Sequence, residues 1–468
     1  MKERKVHLIG ICGTAMAALA CMLKERGFVV GGSDAAAYPP MSEILAARGI
    51  AVQPGYEAAR ITPELDLVVV GNVAASSNLE ALRAGELGLV RRSLPETLWH
   101  EFLRDKPQRL VVAGTHGKTT TSSLLAWGLE SAGRRPSFMI GGELKNFAAN
   151  YKLDSGPAFV LEGDEYNSAF FDRHAKFHHY RPTHLIVTGI EMDHVDLFAG
   201  LDEIVAEFKT LLAGLPEEGL LVAAADNPVL AGLLAATPAR VVTYGWSAEA
   251  AFRLLDFTPR PGGSRFSFAT PEGGRVTLES AALGRHNAEN ALAVAVLLQA
   301  LGLSWEEIEQ GLKSFAGVKR RQEIIGGCGE TVYVSDFAHH PTAIDRTLEA
   351  LGEHWPDHRL VAVFEPRTAT SRRNLFQEEL GRAFDSADEV LLAPVHGAAA
   401  LADEERLDTE SLAVAISKSG PPARARAGID ELFAALAERA GARELVVLMS
   451  TGDFGGLYRR LLEELCDR

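Results

Sequence analysis

The chain has 468 residues, more than one hydrophobic core usually serves, which predicts about two to four domains of roughly 100–200 residues each. A hydrophobic fraction of 47% against 23% charged residues excludes a disordered chain, and a net charge of −15 excludes a general nucleic-acid binder while leaving room for local phosphate sites. No run approaches the roughly 18 apolar residues that span a bilayer, and Val6–Ile9 is too short for a signal peptide, so the reading is cytoplasmic with no membrane partner. Cys12, Cys21, Cys328 and Cys466 lack C-x-x-C spacing and are expected to be free thiols.

Short apolar strand-like runs alternate with longer helical patterns almost throughout, the signature of α/β domains with largely parallel sheets. The first strand, Val6–Ile9, runs into Gly10-Ile-Cys-Gly-Thr-Ala-Met16, and the next ends near Gly32-Ser-Asp34. A Gly-rich turn between strand and helix often marks a dinucleotide site, which opens an NAD-dependent oxidoreductase reading. Cys12 takes the place of the second glycine of G-x-G-x-x-G and weakens that reading. The polar, proline-containing Asp105–Gln108 reads as a linker, giving a first domain over residues 1–106.

After strand Arg109–Ala113 comes Gly114-Thr115-His116-Gly117-Lys118-Thr119-Thr120, and then a helical pattern to about Ala132. Strand, Gly-rich turn and helix opening with Lys-Thr turn backbone N–H groups toward a nucleoside triphosphate. Lys118 would reach the β/γ-phosphates, and the Thr119 hydroxyl would ligate Mg²⁺. Val112 stands where the usual spacing puts the first glycine, so the loop is a variant. A second rule extends the site: ligands bind beyond the carboxyl ends of parallel strands. Strand Ala158–Leu161 ends in Glu162-Gly-Asp-Glu165, and strand His184–Thr188 leads to Glu191-Met-Asp-His-Val-Asp196, so both acidic segments should meet the phosphate loop. Mg²⁺ takes one or two carboxylates, and Glu162 is the first choice. On chemistry alone His194 stands evenly between metal ligand and cap, because imidazole suits softer metals. Asp164, Glu165, Asp193 and Asp196 are expected to be mostly solvated loop acids and helix caps. Beyond helix Trp305–Lys313, Phe315–Glu323 and Gly326–Gly329 precede strand Val332–Val334, which places a hinge near residue 320 and domains at 107–320 and 321–468.

Gly114–Thr120, Glu162, Asp193-His194, Gly284-Arg-His-Asn-Ala-Glu-Asn290, Arg320-Arg321 and Asp336-Phe-Ala-His-His-Pro341 together resemble the Mur ligase family, which joins amino acids or peptides to UDP-N-acetylmuramic acid derivatives. The resemblance spans essentially the whole chain. It implies a Rossmann-like N-terminal domain for the UDP sugar, a central P-loop ATPase domain with a mainly parallel sheet, and a C-terminal Rossmann-like domain that closes on ATP and brings the amine. Carried over by position, it implies Mg²⁺ at Thr119, Glu162 and His194 and ATP contacts from His286, Asn287, Arg321, Asp336 and His339; for catalysis Lys118 is expected to neutralise phosphate charge, and His194, His340 or a loop carboxylate are the candidates for the base that takes the amine's proton. Chemically, Asp336 can accept from ribose hydroxyls, while His339 and Arg321 can donate to phosphate. The N-terminal turn resembles the UDP pyrophosphate loop, with Gly10, Gly13, Thr14, Ala15, Met16, Ser33 and Asp34 at the sugar nucleotide and Asn146 at the sugar.

Within the family the chain is most similar to members that join the tripeptide L-Ala-γ-D-Glu-meso-diaminopimelate to UDP-N-acetylmuramate. The likeness lies in Asp164-Glu-Tyr-Asn-Ser-Ala-Phe-Phe-Asp172, Lys176-Phe-His-His-Tyr-Arg-Pro182, Phe364-Glu-Pro-Arg367 and Ser450-Thr-Gly-Asp-Phe-Gly-Gly456. Arg367 and the N–H groups around Gly452 suit the peptide's carboxylates, with a surface salt bridge the equal alternative for Arg367. Gly189 stands where the family often has Asn, and Lys209 is expected to be an ordinary surface lysine. The expected partners are these small molecules, with no nucleic acid, in a monomer or weak homo-oligomer. The alternatives are a member that adds L-alanine, a nucleotide-gated binding protein and an oxidoreductase.

Overall fold

The computed structural model describes residues 3–37, 39–193, 195 and 197–466, with side chains through Glu464. His194, Asp196 and the Cys466 side chain therefore lie outside the described residues, while Cys12, Cys21 and Cys328 are free thiols as expected. The chain forms two compact units: Met1–Ile190 with Val205–Tyr244 and Ala293–Gly311, and Glu191–Ile204 with Gly245–Leu292 and Leu312–Arg468.

The first unit holds a five-stranded parallel sheet of β1 (Lys5–Ile9), β2 (Val29–Asp34), β3 (Ala51–Pro54), β4 (Leu67–Val70) and β5 (Arg91–Ser93), in the order β3-β2-β1-β4-β5. The chain runs outward from β1 on one side, then returns to build the other side, so a topological switch lies at the end of β1. Leu8, Ile9 and Leu67–Val70 are buried without alternation, as strands covered on both faces require.

A second sheet of the same unit comprises β6 (Gln108–Ala113), β7 (Ser137–Leu144), β8 (Ala149–Lys152), β9 (Ala158–Glu162), β12 (His184–Val187), β13 (Leu220–Ala224) and β14 (Arg240–Gly245), with the hairpin β10 (Asn167–Ala169) and β11 (Asp172–Ala175) beside it in sequence. Its order is β14-β13-β12-β6-β9-β7-β8, and β8 alone in this run is antiparallel to its neighbour. Helix Lys118–Ser131 packs on β6, β7 and β9. Gly128 lets Leu298 come close, since a Cβ there would lie 2.7 Å from Leu298 Cδ1. The two sheets are tied where Tyr151 of β8 donates to Glu25 at 2.9 Å, a carboxylate that also accepts from Arg48 at 2.5 Å.

The second unit contains an antiparallel ribbon, β15 (Phe252–Arg260), β16 (Gly263–Ala269) and β17 (Arg275–Ser280). It also contains a sheet of β18 (Glu323–Cys328), β19 (Thr331–Asp336), β20 (Arg359–Phe364), β21 (Glu389–Leu392), β22 (Ala423–Ala425) and β23 (Glu444–Met449). The order is β18-β19-β23-β20-β21-β22, parallel except for β18. Alternation along β20 sends Leu360, Ala362 and Phe364 into one core and Val361 and Val363 into the other. His354, closing helix Pro341–His354, reaches Gly263 O of the ribbon at 2.6 Å. The α/β class with mainly parallel sheets is as expected, and among the described residues no helix is long and apolar enough to cross a membrane.

Gly284, before helix Arg285–Ala300, has φ +90°, and a Cβ there would overlap Ala350 Cβ; Gly273 has φ +83° with nothing within 4 Å. Gly273→Ala should therefore bear only the backbone cost, about 1 kcal/mol, and Gly284→Ala about 2–4 kcal/mol. Denaturant titration of both variants measures the difference, and equal midpoints would refute the close approach.

Candidate active site

β6 is flanked in parallel register by β9 and β12, with Val112 opposite Glu162 and Ala113 opposite Val187, so three strands end at one level. Gly114 turns the chain there with φ +128°, where a Cβ would fall on Thr188 Oγ1 and 2.9 Å from Gly189 O. The loop is braced from the end of β12: Thr115 N donates to Gly189 O at 2.9 Å, and Thr188 Oγ1 donates to His116 O at 2.5 Å. Gly189 itself has φ +143°, and Asn227 occupies the space beside it, its Nδ2 3.4 Å from the position of a Cβ. Bracing at this position thus comes from backbone, with Asn227 holding Ile190 O at 3.2 Å. Gly117, at φ +79°, starts helix Lys118–Ser131 without a side-chain cap or first-turn acid, which suits an anion at that end. Val112 is wholly buried in β6, so the strand continues where a longer loop would begin.

The first acidic segment meets this loop. Thr119 Oγ1 donates to Glu162 Oε1 at 2.8 Å, and the other oxygen of Glu162 accepts from Gly141 N at 2.8 Å. Lys118 Nζ lies 2.9 Å from both oxygens of Glu165 and 2.7 Å from Gly114 O. Burial alone would lower the lysine, but Glu165 holds it above its ordinary value, so it stays cationic. Burial likewise pushes Asp164 up, yet Lys176 at 2.8 Å, followed by Lys118, keeps it below the usual carboxylate range. The expectation of solvated loop acids is corrected for two of these residues. Glu165 is 4% exposed and pairs with Lys118, while Asp193 is 3% exposed and accepts from Thr370 Oγ1 at 3.0 Å. Spacing gave no sign of either, because both partners come from distant segments. Lys209 is exposed, as expected.

At the N-terminal turn, Ser33 O accepts from Gly10 N at 2.8 Å and Ile11 N at 3.1 Å, and Asp34 Oδ2 accepts from Cys12 N at 2.8 Å. These amides are engaged within the protein. The N–H groups of Thr14, Ala15 and Met16 precede the first intrahelical bond, from Ala17 N to Gly13 O at 2.8 Å, an arrangement that suits an anion at this helix end. Met16 is buried, and Ser33 is enclosed with its hydroxyl on Glu80. Asn146 lies half-buried between β7 and β8.

In the second unit, Asp336 ends β19 with one oxygen on Gln322 N and the other on Ala338 N, both at 2.7 Å. Burial raises this carboxyl, and Arg321 opposes the rise. Asp336 thereby secures the turn in which Arg320 and Gln322 adopt φ +60° and +46°, while the Arg321 guanidinium lies 4.5 Å over the Phe337 ring. His339 Nδ1 sits 3.0 Å from Phe337 O, so it donates there, and Nε2 can donate to phosphate only in the imidazolium. Asn287 Nδ2 donates to Leu283 O at 2.8 Å and Gln322 Oε1 at 3.1 Å while its oxygen accepts from Asn290 at 3.0 Å, leaving one lone pair on Oδ1 for a nucleotide. His286 is pulled down to about 3 by burial, with Arg346 adding to it, and is neutral.

Arg367 follows β20, its Nη1 3.6 Å from Glu365, 3.8 Å from Asp453 and 3.3 Å from His396 Nδ1. Gly452 N–H donates to Ser450 Oγ at 2.9 Å, and a Cβ there would fall on the guanidinium carbon of Arg367. The absence of a side chain at Gly452 makes room for the arginine.

Three family models match along the chain: the Mur ligase family catalytic domain over residues 5–104, the Mur ligase middle domain over 112–298, and the Mur ligase glutamate ligase domain over 320–452. A UDP-N-acetylmuramate–L-alanyl-γ-D-glutamyl-meso-2,6-diaminoheptandioate ligase of Haemophilus influenzae is 34% identical over 468 residues, covering 99% of each chain. A UDP-N-acetylmuramate–L-alanine ligase of Rubrobacter xylanophilus is 37% identical over 399 residues, 84% of this chain and 85% of that one. The crystal structure of a murein peptide ligase from Psychrobacter arcticus matches with a TM-score of 0.73 and 31% identity, covering 99% of each chain. With its phosphate loop, acidic rim and all three domains accounted for, the chain belongs to the Mur ligase family.

Proposed function

We propose that the chain is an ATP-dependent, ADP-forming ligase that joins UDP-N-acetylmuramate to the recycled murein tripeptide L-Ala-γ-D-Glu-meso-diaminopimelate. The observation that carries this reading is the end-to-end likeness to the tripeptide-adding relative, which covers 99% of both chains. The 37% identity to an L-alanine-adding relative over 84% of this chain favours the second reading, a ligase for free L-alanine.

The lactyl carboxylate oxygen bonds to the γ-phosphorus of ATP as the bond to the β,γ-bridging oxygen breaks, releasing ADP. The peptide α-amine then bonds to the acyl carbon, phosphate departs with the electrons of the C–O bond, and the amine gives up a proton. No side-chain nucleophile is required; the protein's contribution is placement and charge. We assign Lys118 to the phosphate charge, the loop Gly114–Thr120 to the triphosphate, and His286, Asn287, Arg321, Asp336 and His339 to further ATP contacts. Thr119 and Glu162 present only oxygen donors 2.8 Å apart, a set that fits Mg²⁺, and His194 is the third proposed ligand. Mg²⁺ bound there neutralises phosphate charge. Residues 1–106, 107–320 and 321–468 are the proposed sugar-nucleotide, ATP and peptide domains.

The deciding experiment is phosphate release from ATP with Mg²⁺ and UDP-N-acetylmuramate, supplied with either the tripeptide or L-alanine. Preference for the tripeptide with a ligated product by mass is the expected result; preference for L-alanine would transfer the assignment to the second reading, and no release with either would remove both. Lys118→Ala should abolish release while leaving UDP-sugar binding by calorimetry intact, and loss of that binding in a folded variant would contradict separate sites. Because Glu165 competes with phosphate for Lys118, Glu165→Gln should tighten Mg²⁺-free ATP binding by about three- to tenfold. Weaker binding in that variant would mean that the carboxylate supports the nucleotide.

A further inference from the structure

The turn after β1 is held by the end of β2, and the end of β2 is in turn held by a buried carboxylate. Glu80, the second residue of helix Leu79–Glu86, is fully enclosed. One carboxylate oxygen accepts from Ser33 Oγ and from His7 Nε2 at 3.0 Å. The other accepts from Glu57 N at 3.1 Å and faces Arg60 Nη1 at 3.5 Å. Arg60 also donates to Gly55 O at 2.6 Å and Pro54 O at 2.9 Å, while Gly55 N donates to Asp34 O at 2.8 Å. The segment from Pro54 to Arg60 is thus bound both to Glu80 and to the residue after Ser33.

Helix capping does not explain this carboxylate. Asn78 performs that task, its Oδ1 accepting from Glu80 N and Ala81 N, both at 3.0 Å. A carboxylate in the first helical turn gains from the helix dipole while remaining in water, whereas full burial costs several kcal/mol unless partners surround it. Burial pushes Glu80 up, but the bonds from His7, Ser33 and Glu57 N hold it below the ordinary range, so it is buried as an anion. Every segment it binds borders the rim beyond β1, β2 and β3, where ligands of open parallel sheets bind.

We propose that Glu80 is a positioning residue of the sugar-nucleotide site: through Ser33, His7 and Arg60 it fixes the Ser33–Asp34 strand end and the Pro54–Arg60 turn, and so keeps the N–H groups of Thr14, Ala15 and Met16 aimed at the pyrophosphate. The inference rests on the reading of the first sheet as the UDP-sugar site. Glutamine in place of Glu80 keeps the shape but turns an NH₂ toward one pair of donors, which should loosen the strand end without emptying the core.

The test is calorimetry with UDP-N-acetylmuramate, and with UDP as a smaller probe, on full-length wild type, Glu80→Gln and Ser33→Ala, alongside steady-state kinetics. Glu80→Gln is expected to raise Kd for both probes, and KM for the sugar nucleotide, by about tenfold or more, with kcat at saturation and KM for ATP within about twofold. Ser33→Ala should move the same constants less, in the same direction. Unchanged Kd in folded Glu80→Gln, or kcat and every KM deteriorating together, would overturn the proposal in favour of a merely structural role. Should Glu80→Gln not fold, Ser33→Ala decides by the same readout, and an unchanged Kd there overturns it. Wild type that binds neither probe would instead refute the UDP-sugar reading itself, and this inference with it.

Discussion

Three parallel strands end at one level around Gly114, and the absence of a side chain there lets them do so. In register, β6 brings Val112 beside Glu162 and Ala113 beside Val187. A Cβ at Gly114 would occupy the place of the Thr188 hydroxyl that supports His116 O. Because the loop is held by backbone and by one hydroxyl from the neighbouring strand, the helix that begins at Lys118 presents its N-terminus in a fixed place relative to Glu162. Phosphate charge and metal charge can then be met by groups already in position, which is the chief requirement for phosphoryl transfer.

That same rim carries strong local charge balance. Lys118 and Lys176 are matched by Glu165 and Asp164, and each pair lies within 3 Å. A buried lysine without a partner would lose its proton or destabilise the loop. Glu165 therefore keeps the cation charged in the ligand-free protein, at the expense of competition with an arriving phosphate. The carboxylate of Glu162, by contrast, is held by a hydroxyl and a backbone N–H, neither of which opposes a cation's approach to its free lone pairs.

What was legible in the sequence follows from how locally each feature is determined. The strand, turn and helix around Gly114–Thr120 are set by apolar runs and glycines within a short stretch, and the meeting of Glu162 and Glu165 with the loop follows from the parallel-sheet rule. The partner of a side chain is not local. Glu165 pairs with a lysine 47 positions away and Asp193 with a threonine 177 away, so residue type and spacing suggested solvated acids where the fold has buried ones. The two-unit division was equally illegible, because it depends on how segments far apart in sequence pack.

Several of the motif residues share one physical feature. The hydroxyl of Ser33 and the N–H of Gly452 already have protein partners. Asn287 is similar, with a single lone pair left over. Each donor can serve only a limited number of acceptors, so a rim that presents groups at fixed angles needs a layer behind it whose groups are fully engaged. Sequence motifs register both layers alike, because both require particular residue types. Counting donors and acceptors separates them: Gly452 yields the space that the Arg367 guanidinium fills, and Ser33 and Asp34 take up the N–H groups of Gly10, Ile11 and Cys12 but not those of Thr14, Ala15 and Met16.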